Sequence, residues 1–139
     1  MFCSHVSAEE IIKIICKFPN NKAPGRNNIK SKILKEITSY IVDPLIYIFD
    51  MSFMTGIIPD LLKIAKVVPI YKKGERNLPG NYRPISLLSI FDKILEKLMH
   101  KRLINFLEQN STLCEYQFGF RKNHSTVHGA RQCYNCCIC

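Results

Sequence analysis

The sequence predicts an α+β chain, mostly helical, that carries one small peripheral β-hairpin. Three observations point there. Apolar residues recur at steps of three and four in four separate segments, the signature of amphipathic helices. Two short runs with β-branched and aromatic bias, Val67–Tyr71 and Asn81–Leu88, flank a basic loop punctuated by Gly74, Pro79 and Gly80, as in a hairpin. Each run holds a proline, Pro69 and Pro84, which lacks the N–H a central strand must donate and so marks an edge or a bulge.

In chain order, Ser7 to Phe18 reads as the first helix. Ser7 and Glu10 have capping-box spacing, and Ile11, Ile14, Ile15 and Phe18 form one apolar face that stops at Pro19. Residues 20 to 28 (NNKAPGRNN) are turn-forming, and Pro24-Gly25 predicts a type II turn with Gly25 at positive φ. A second helix, Ile29 to Ile41, is expected to bury Ile33, Leu34, Ile37 and Ile41. Asp43-Pro44 reads as an N-cap followed by proline at the first helical position, opening a third helix that Gly56 ends. After the hairpin, Ser89 and Asp92 cap a last helix whose apolar positions run from Phe91 to Leu107. Its other face carries Lys93, Lys97 and Lys101.

The chain of 139 residues is long enough for one domain that buries about 70% of its surface. Its net charge of +9 is unevenly placed. Residues 63 to 102 hold ten Lys and Arg against three acids, so most of the excess lies in the hairpin and the helix after it. A field focused in this way attracts polyanions, with nucleic acid or nucleotide phosphates ahead of an anionic membrane surface. The alternative is a solvated face that only confers solubility. Seven cysteines, an odd number with four of them in the last seven residues, do not suggest a disulfide framework. With no secretory pattern at residues 1 to 16, they favour an intracellular setting, nucleus or cytoplasm left open. No apolar run approaches the roughly 20 residues of a membrane span, so no membrane partner is expected.

Several blocks stand in one order: NKAPG at 21 to 25, GIIP at 56 to 59, VVPIYKKG at 67 to 74 and NYRPISLLS at 81 to 89. They are followed by K-I-x-E-K at 93 to 97, R-L-x-x-F-L at 102 to 107 and QFGFR-x-x-HST at 117 to 126. Together they resemble the amino-terminal part of the reverse transcriptase domain of non-LTR retrotransposons, the jockey-like kind. The resemblance spans roughly residues 8 to 130, leaving 131 to 139 as a divergent Cys-rich tail.

The resemblance implies the fingers and the start of the palm of a right-hand polymerase. It implies RNA template, DNA primer and dNTP as partners, with the missing palm and thumb of the full-length enzyme. Carried over onto matching positions, Lys72 and Arg83 are the cations that face the triphosphate. Gln117, Gly119 and Arg121 fall in the block along the template and nucleotide pocket. Lys22 and Arg26, which flank the first turn, and Lys73 and Arg76 in the hairpin loop are expected on the nucleic-acid backbone, with a plain solvated connector the alternative for the first turn. The chemistry is consistent, because Arg engages phosphate oxygens bidentately while Lys acts as a point charge.

The resemblance also implies Mg2+ for the full-length enzyme, held by carboxylates on later strands that this sequence does not contain. The expectation is therefore a fragment that binds no metal and does not polymerise alone. Three departures stand out: Arg26-Asn27-Asn28 replaces the usual P-D-G after the first turn, Leu62 stands where a Trp is common, and the tail after His124-Ser125-Thr126 diverges. In that tail His124, His128, Cys133 and Cys136 offer nitrogen and sulfur ligands, but no second Cys-x-x-Cys accompanies them, which argues against a zinc site. Two functions follow: part of an RNA-directed DNA polymerase, or a small basic module that binds nucleic acid without catalysis.

Overall fold

The computed structural model describes residues 4–21 and 23–113. Two units divide the chain, residues 1–102 and 103–139. The elements run α1 (Ala8–Cys16), α2 (Ser31–Glu36), α3 (Thr38–Thr55), β1 (Lys66–Tyr71), β2 (Tyr82–Leu87) and α4 (Ile90–Gln109). Short 3₁₀ turns at Asp60–Lys63 and Pro79–Asn81 precede the two strands. Among the described residues the predicted mostly helical architecture with one hairpin is what forms.

Helix α1 begins at Ser7, whose Oγ accepts the Glu10 N–H at 3.2 Å. Only that half of the expected box forms, because the Glu10 carboxylate is taken by α4: Lys101 Nζ lies at 2.5 Å and Arg102 Nη2 at 3.1 Å. The Ser89–Asp92 pair forms both halves. Ser89 N donates to Asp92 Oδ2 at 2.9 Å and Asp92 N to Ser89 Oγ at 3.3 Å, inside the protein.

The middle helices break at a different place from the one the sequence suggests. Helix α2 closes at Ile37, where the Thr38 hydroxyl donates to the Leu34 carbonyl at 2.7 Å. Helix α3 then runs unbroken through Pro44. Proline costs about 3 kcal/mol inside a helix. Val42, Leu45 and Phe49 lie on one buried stripe across it, at about 1.5–3 kcal/mol each, so burial outweighs the lost hydrogen bond. The shorter α2 buries Leu34 alone of its expected face; Ile33 is 50% exposed and Ile37 ends the helix. Gly56 closes α3 in the left-handed region at φ 72°, as expected, and its N–H donates to the Ser52 carbonyl.

The core of the first unit joins Ile11, Ile15 and Phe18, Leu34, Val42, Leu45 and Phe49, and Ile90, Ile94, Leu95 and Leu98. Val6 also enters it. That segment is pinned by Asp50, which accepts the Val6 N–H at 2.7 Å and contacts His5 Nδ1 at 3.1 Å, and by Arg102, whose guanidinium donates to the Ser4 and His5 carbonyls.

Gly25 is required for a different reason from positive φ. A Cβ there would lie 2.4 Å from the Leu88 carbonyl oxygen and 2.8 Å from Ser89 Cα. Glycine thus lets the loop press against the backbone where β2 ends and α4 begins. The turn itself sits two residues later: Asn28 N donates to the Gly25 carbonyl at 3.1 Å, and Asn28, at φ 54°, takes the left-handed conformation.

Candidate nucleotide and nucleic-acid interface

The hairpin pairs its strands antiparallel in the register Lys66↔Leu87, Val68↔Ile85, Pro69↔Pro84, Ile70↔Arg83 and Tyr71↔Tyr82. One step beyond, Lys72 N donates to the Asn81 carbonyl at 2.8 Å. In such a ladder hydrogen-bonded and non-hydrogen-bonded pairs alternate. With Lys72↔Asn81 bonded, Pro69↔Pro84 falls on a non-bonded pair, where an N–H would point away from the partner strand. Two facing prolines therefore cost the ladder nothing and blunt both free edges against a further strand.

The same register places the cations. Arg83 lies opposite Ile70, and Lys72 lies two residues beyond Ile70, so Lys72 and Arg83 belong to one face of the hairpin. Val68 and Ile85 continue that face. The opposite face carries Val67, Pro69, Tyr71, Tyr82 and Pro84. Lys72, Lys73, Arg76 and Arg83 are all exposed, and among the described residues none forms an ion pair with an acid. Arg76 is partly committed, since its guanidinium lies 5.3 Å from the centre of the Tyr71 ring.

The loop between the strands is held by side chains the sequence reading did not single out. The Tyr71 hydroxyl donates to the Gly74 carbonyl, Asn81 Nδ2 to the Glu75 carbonyl at 2.7 Å, and the Tyr82 hydroxyl to the Arg76 carbonyl at 2.9 Å. Tyr71 and Tyr82 meet edge to face with their centres 5.7 Å apart. Gly74 stands at φ 95°, and a Cβ there would meet the Asn81 amide at 2.7 Å. The sequence signal was available in a Lys-Gly ending one strand and an Asn-Tyr opening the next.

Arg26 lies elsewhere. Gly25 seats its turn at the root of the hairpin, where Arg26 and Asn27 line a cavity of about 370 Å³ with Leu61, Leu62, Ile64, Ser89 and Phe91. That is the far end of β2 from the cationic loop, on the order of 20 Å along the strand. Lys22, Gln117, Gly119 and Arg121 lie outside the described residues, as do His124, His128, Cys133 and Cys136.

Two of the α4 lysines have structural partners. Lys97 Nζ stacks 4.3 Å from the centre of the Phe18 ring, and Lys101 pairs with Glu10. Arg102, which the sequence did not flag, has a side chain only 9% exposed and stacks on Phe53 at 5.0 Å while bonding Glu10. The Glu10 carboxyl feels burial, which raises its pKa, but the Lys101 hydrogen bond and the Arg102 and Lys101 charges outweigh it and hold the group below its usual value.

A family model described as reverse transcriptase (RNA-dependent DNA polymerase) matches residues 70–139. Among curated proteins, a probable RNA-directed DNA polymerase from transposon BS of Drosophila melanogaster is 35% identical over 88% of this chain, and 14% of that protein is covered. The RNA-directed DNA polymerase from mobile element jockey of the same species is 32% identical over 88% of the chain and 14% of its own length. For the corresponding probable polymerase of the transposon X-element the values are 33%, 85% and 13%. The chain thus spans about a seventh of the length of the curated relatives it matches.

Proposed function

We propose a role that starts from one fact: this chain belongs to the reverse transcriptase (RNA-dependent DNA polymerase) family. In our reading it is a fingers region of a mobile-element polymerase. Lys72 and Arg83 hold the phosphates of an incoming dNTP, and Lys73, Arg76, Arg26 and Lys22 lie along the template and primer backbone. Gln117, Gly119 and Arg121 complete the template and nucleotide pocket. The observation that carries the reading is the register, which sets Lys72 and Arg83 on one exposed face with no described acid to neutralise them. Cations so placed stabilise a polyphosphate by charge-assisted hydrogen bonds.

Polymerase chemistry of this family uses carboxylates to hold two Mg2+ ions, which activate the primer hydroxyl and bind the triphosphate. Among the described residues no three acidic, His or Cys side chains come together, so these residues do not fit such a site. Four of their acids have other tasks: Glu10 ties α1 to α4, Asp50 holds the amino-terminal segment, Asp92 caps α4 and Asp60 pairs with Lys63. No helix among the described residues is long and apolar enough to cross a membrane.

Further polymerase polypeptide is the remaining partner in this reading. A wholly apolar trough of about 290 Å³ between Leu45, Ile48, Phe49, Pro59, Leu61, Leu62 and Phe91 supports it, with Leu61 77% exposed beside it.

Titrating dTTP, and separately a fluorescein-labelled RNA–DNA template-primer, into the 139-residue chain tests the function. Lys72→Ala and Arg83→Ala are each expected to weaken dTTP about tenfold, since each removes a charge-assisted contact. Template-primer binding is expected to fall with salt and to weaken modestly with Arg26→Ala or Lys73→Ala. Affinity for dTTP spread evenly over all the cations would instead make the chain a non-catalytic nucleic-acid binder. Incorporation of dTMP with Mg2+ would overturn its inactivity.

A further inference from the structure

Resting on the phosphate grip proposed above, we infer that Tyr71, Asn81 and Tyr82 are positioning residues that preorganise the cationic loop for its ligand. The observation is a run of three consecutive carbonyls, Gly74, Glu75 and Arg76, each taken by a different side chain of the strand ends. Backbone bonds close the rest: Lys72 N to Asn81, Leu78 N to the Glu75 carbonyl and Asn81 N to the Leu78 carbonyl.

This arrangement is unusual for its surroundings. Residues 71 to 80 are all exposed, so the loop has no core to hold it, and an exposed basic segment would otherwise sample many conformations. Side-chain clamps substitute for packing. They also turn three carbonyl dipoles toward the strand ends, so the acceptor ends of those peptides are satisfied within the loop. A phosphate arriving at Lys72 then meets a chain already fixed, and the ordering that weakens binding to flexible loops has been made during folding. Gly74 fits the same scheme, because only a residue without Cβ lets the Asn81 amide sit against it at positive φ.

The Tyr71→Phe/Tyr82→Phe double variant removes two hydroxyls and keeps both rings. With dTTP as the probe and hairpin amide shifts in the intact chain as the readout, it should bind about 3- to 10-fold more weakly, with Tm unchanged. Asn81→Ala should act in the same direction. The decisive arm repeats the double variant in a Lys72→Ala background: if the tyrosines act through Lys72, their removal there costs nothing further. An additive loss in the Lys72→Ala background, or no loss when Lys72 is present, overturns the inference. If the native chain does not bind dTTP, or binds it equally well without Lys72, the phosphate grip itself fails and takes this inference with it. Binding that needs Lys72 but ignores the hydroxyls sinks the inference alone.

Discussion

The helical body and the hairpin use positive charge in opposite ways. In the body, Arg102 is nearly enclosed and makes bonds to Glu10, Ser4, His5 and Leu98, while Lys101 and Lys97 have settled on a carboxylate and a ring. In the hairpin, Lys72, Lys73 and Arg83 stand exposed with no acid partner among the described residues. Net charge over residues 63 to 102 therefore overstates the surface available to a polyanion, because part of it is structural. A cation's use is decided by what its neighbours leave unsatisfied.

Removing a cation should thus unfold one region and only disarm the other. Arg102→Ala is the largest effect expected. It leaves Glu10 half-buried with one partner fewer and frees the Ser4 and His5 carbonyls, a loss of about 2–3 kcal/mol for hydrogen bonds to a charged group. Thermal unfolding should show Tm lowered by roughly 6–10 °C. If Arg102→Ala melts where the native chain does, the contrast collapses. Gly25→Ala tests the seam where the two regions meet. Its Cβ would strike the Leu88 backbone, which has no flexible end to swing away, so a loss of about 1–3 kcal/mol is expected. Chemical denaturation would check it. The same substitution at Gly56, where no atom stands within 4 Å, should show only the smaller cost of positive φ.

What the sequence disclosed follows the same division. Period and capping residues located the helices, and prolines at 69 and 84 located a peripheral hairpin, because these are local signals. The Asp43-Pro44 boundary misled for a physical reason: a buried stripe through Val42, Leu45 and Phe49 outweighs one missing N–H, and burial is a tertiary quantity. Gly25 was recognised as special, but the reason lies in Leu88, far along the chain. Arg102 was invisible as a tie because its partners, Glu10 and residues 4 and 5, are brought to it only by folding. In the hairpin, Lys72 and Arg83 could be read from motif order, whereas their shared face needed the register.

The smallest expected effect is a pH dependence confined to the body. Glu10 has its pKa below the usual 4.5, since Lys101 and Arg102 favour the charged form more than burial disfavours it. A carboxyl depressed in the folded state binds its proton more readily when unfolded. Its contribution to stability is therefore complete above about pH 4.5 and is lost as pH falls through the lower folded value. Asp60 is shifted the same way by its hydrogen bond to Lys63, but it is fully exposed and local, so the control Asp60→Asn should change little. Tm measured from pH 7 to pH 3 should stay nearly level to about pH 5 and then fall, with the fall shallower in Glu10→Gln. The chemical shifts of the hairpin amides should stay constant while the Ser4–Val6 amides move. Identical acid profiles for the native chain and Glu10→Gln would mean that the α1–α4 tie is not what acid releases.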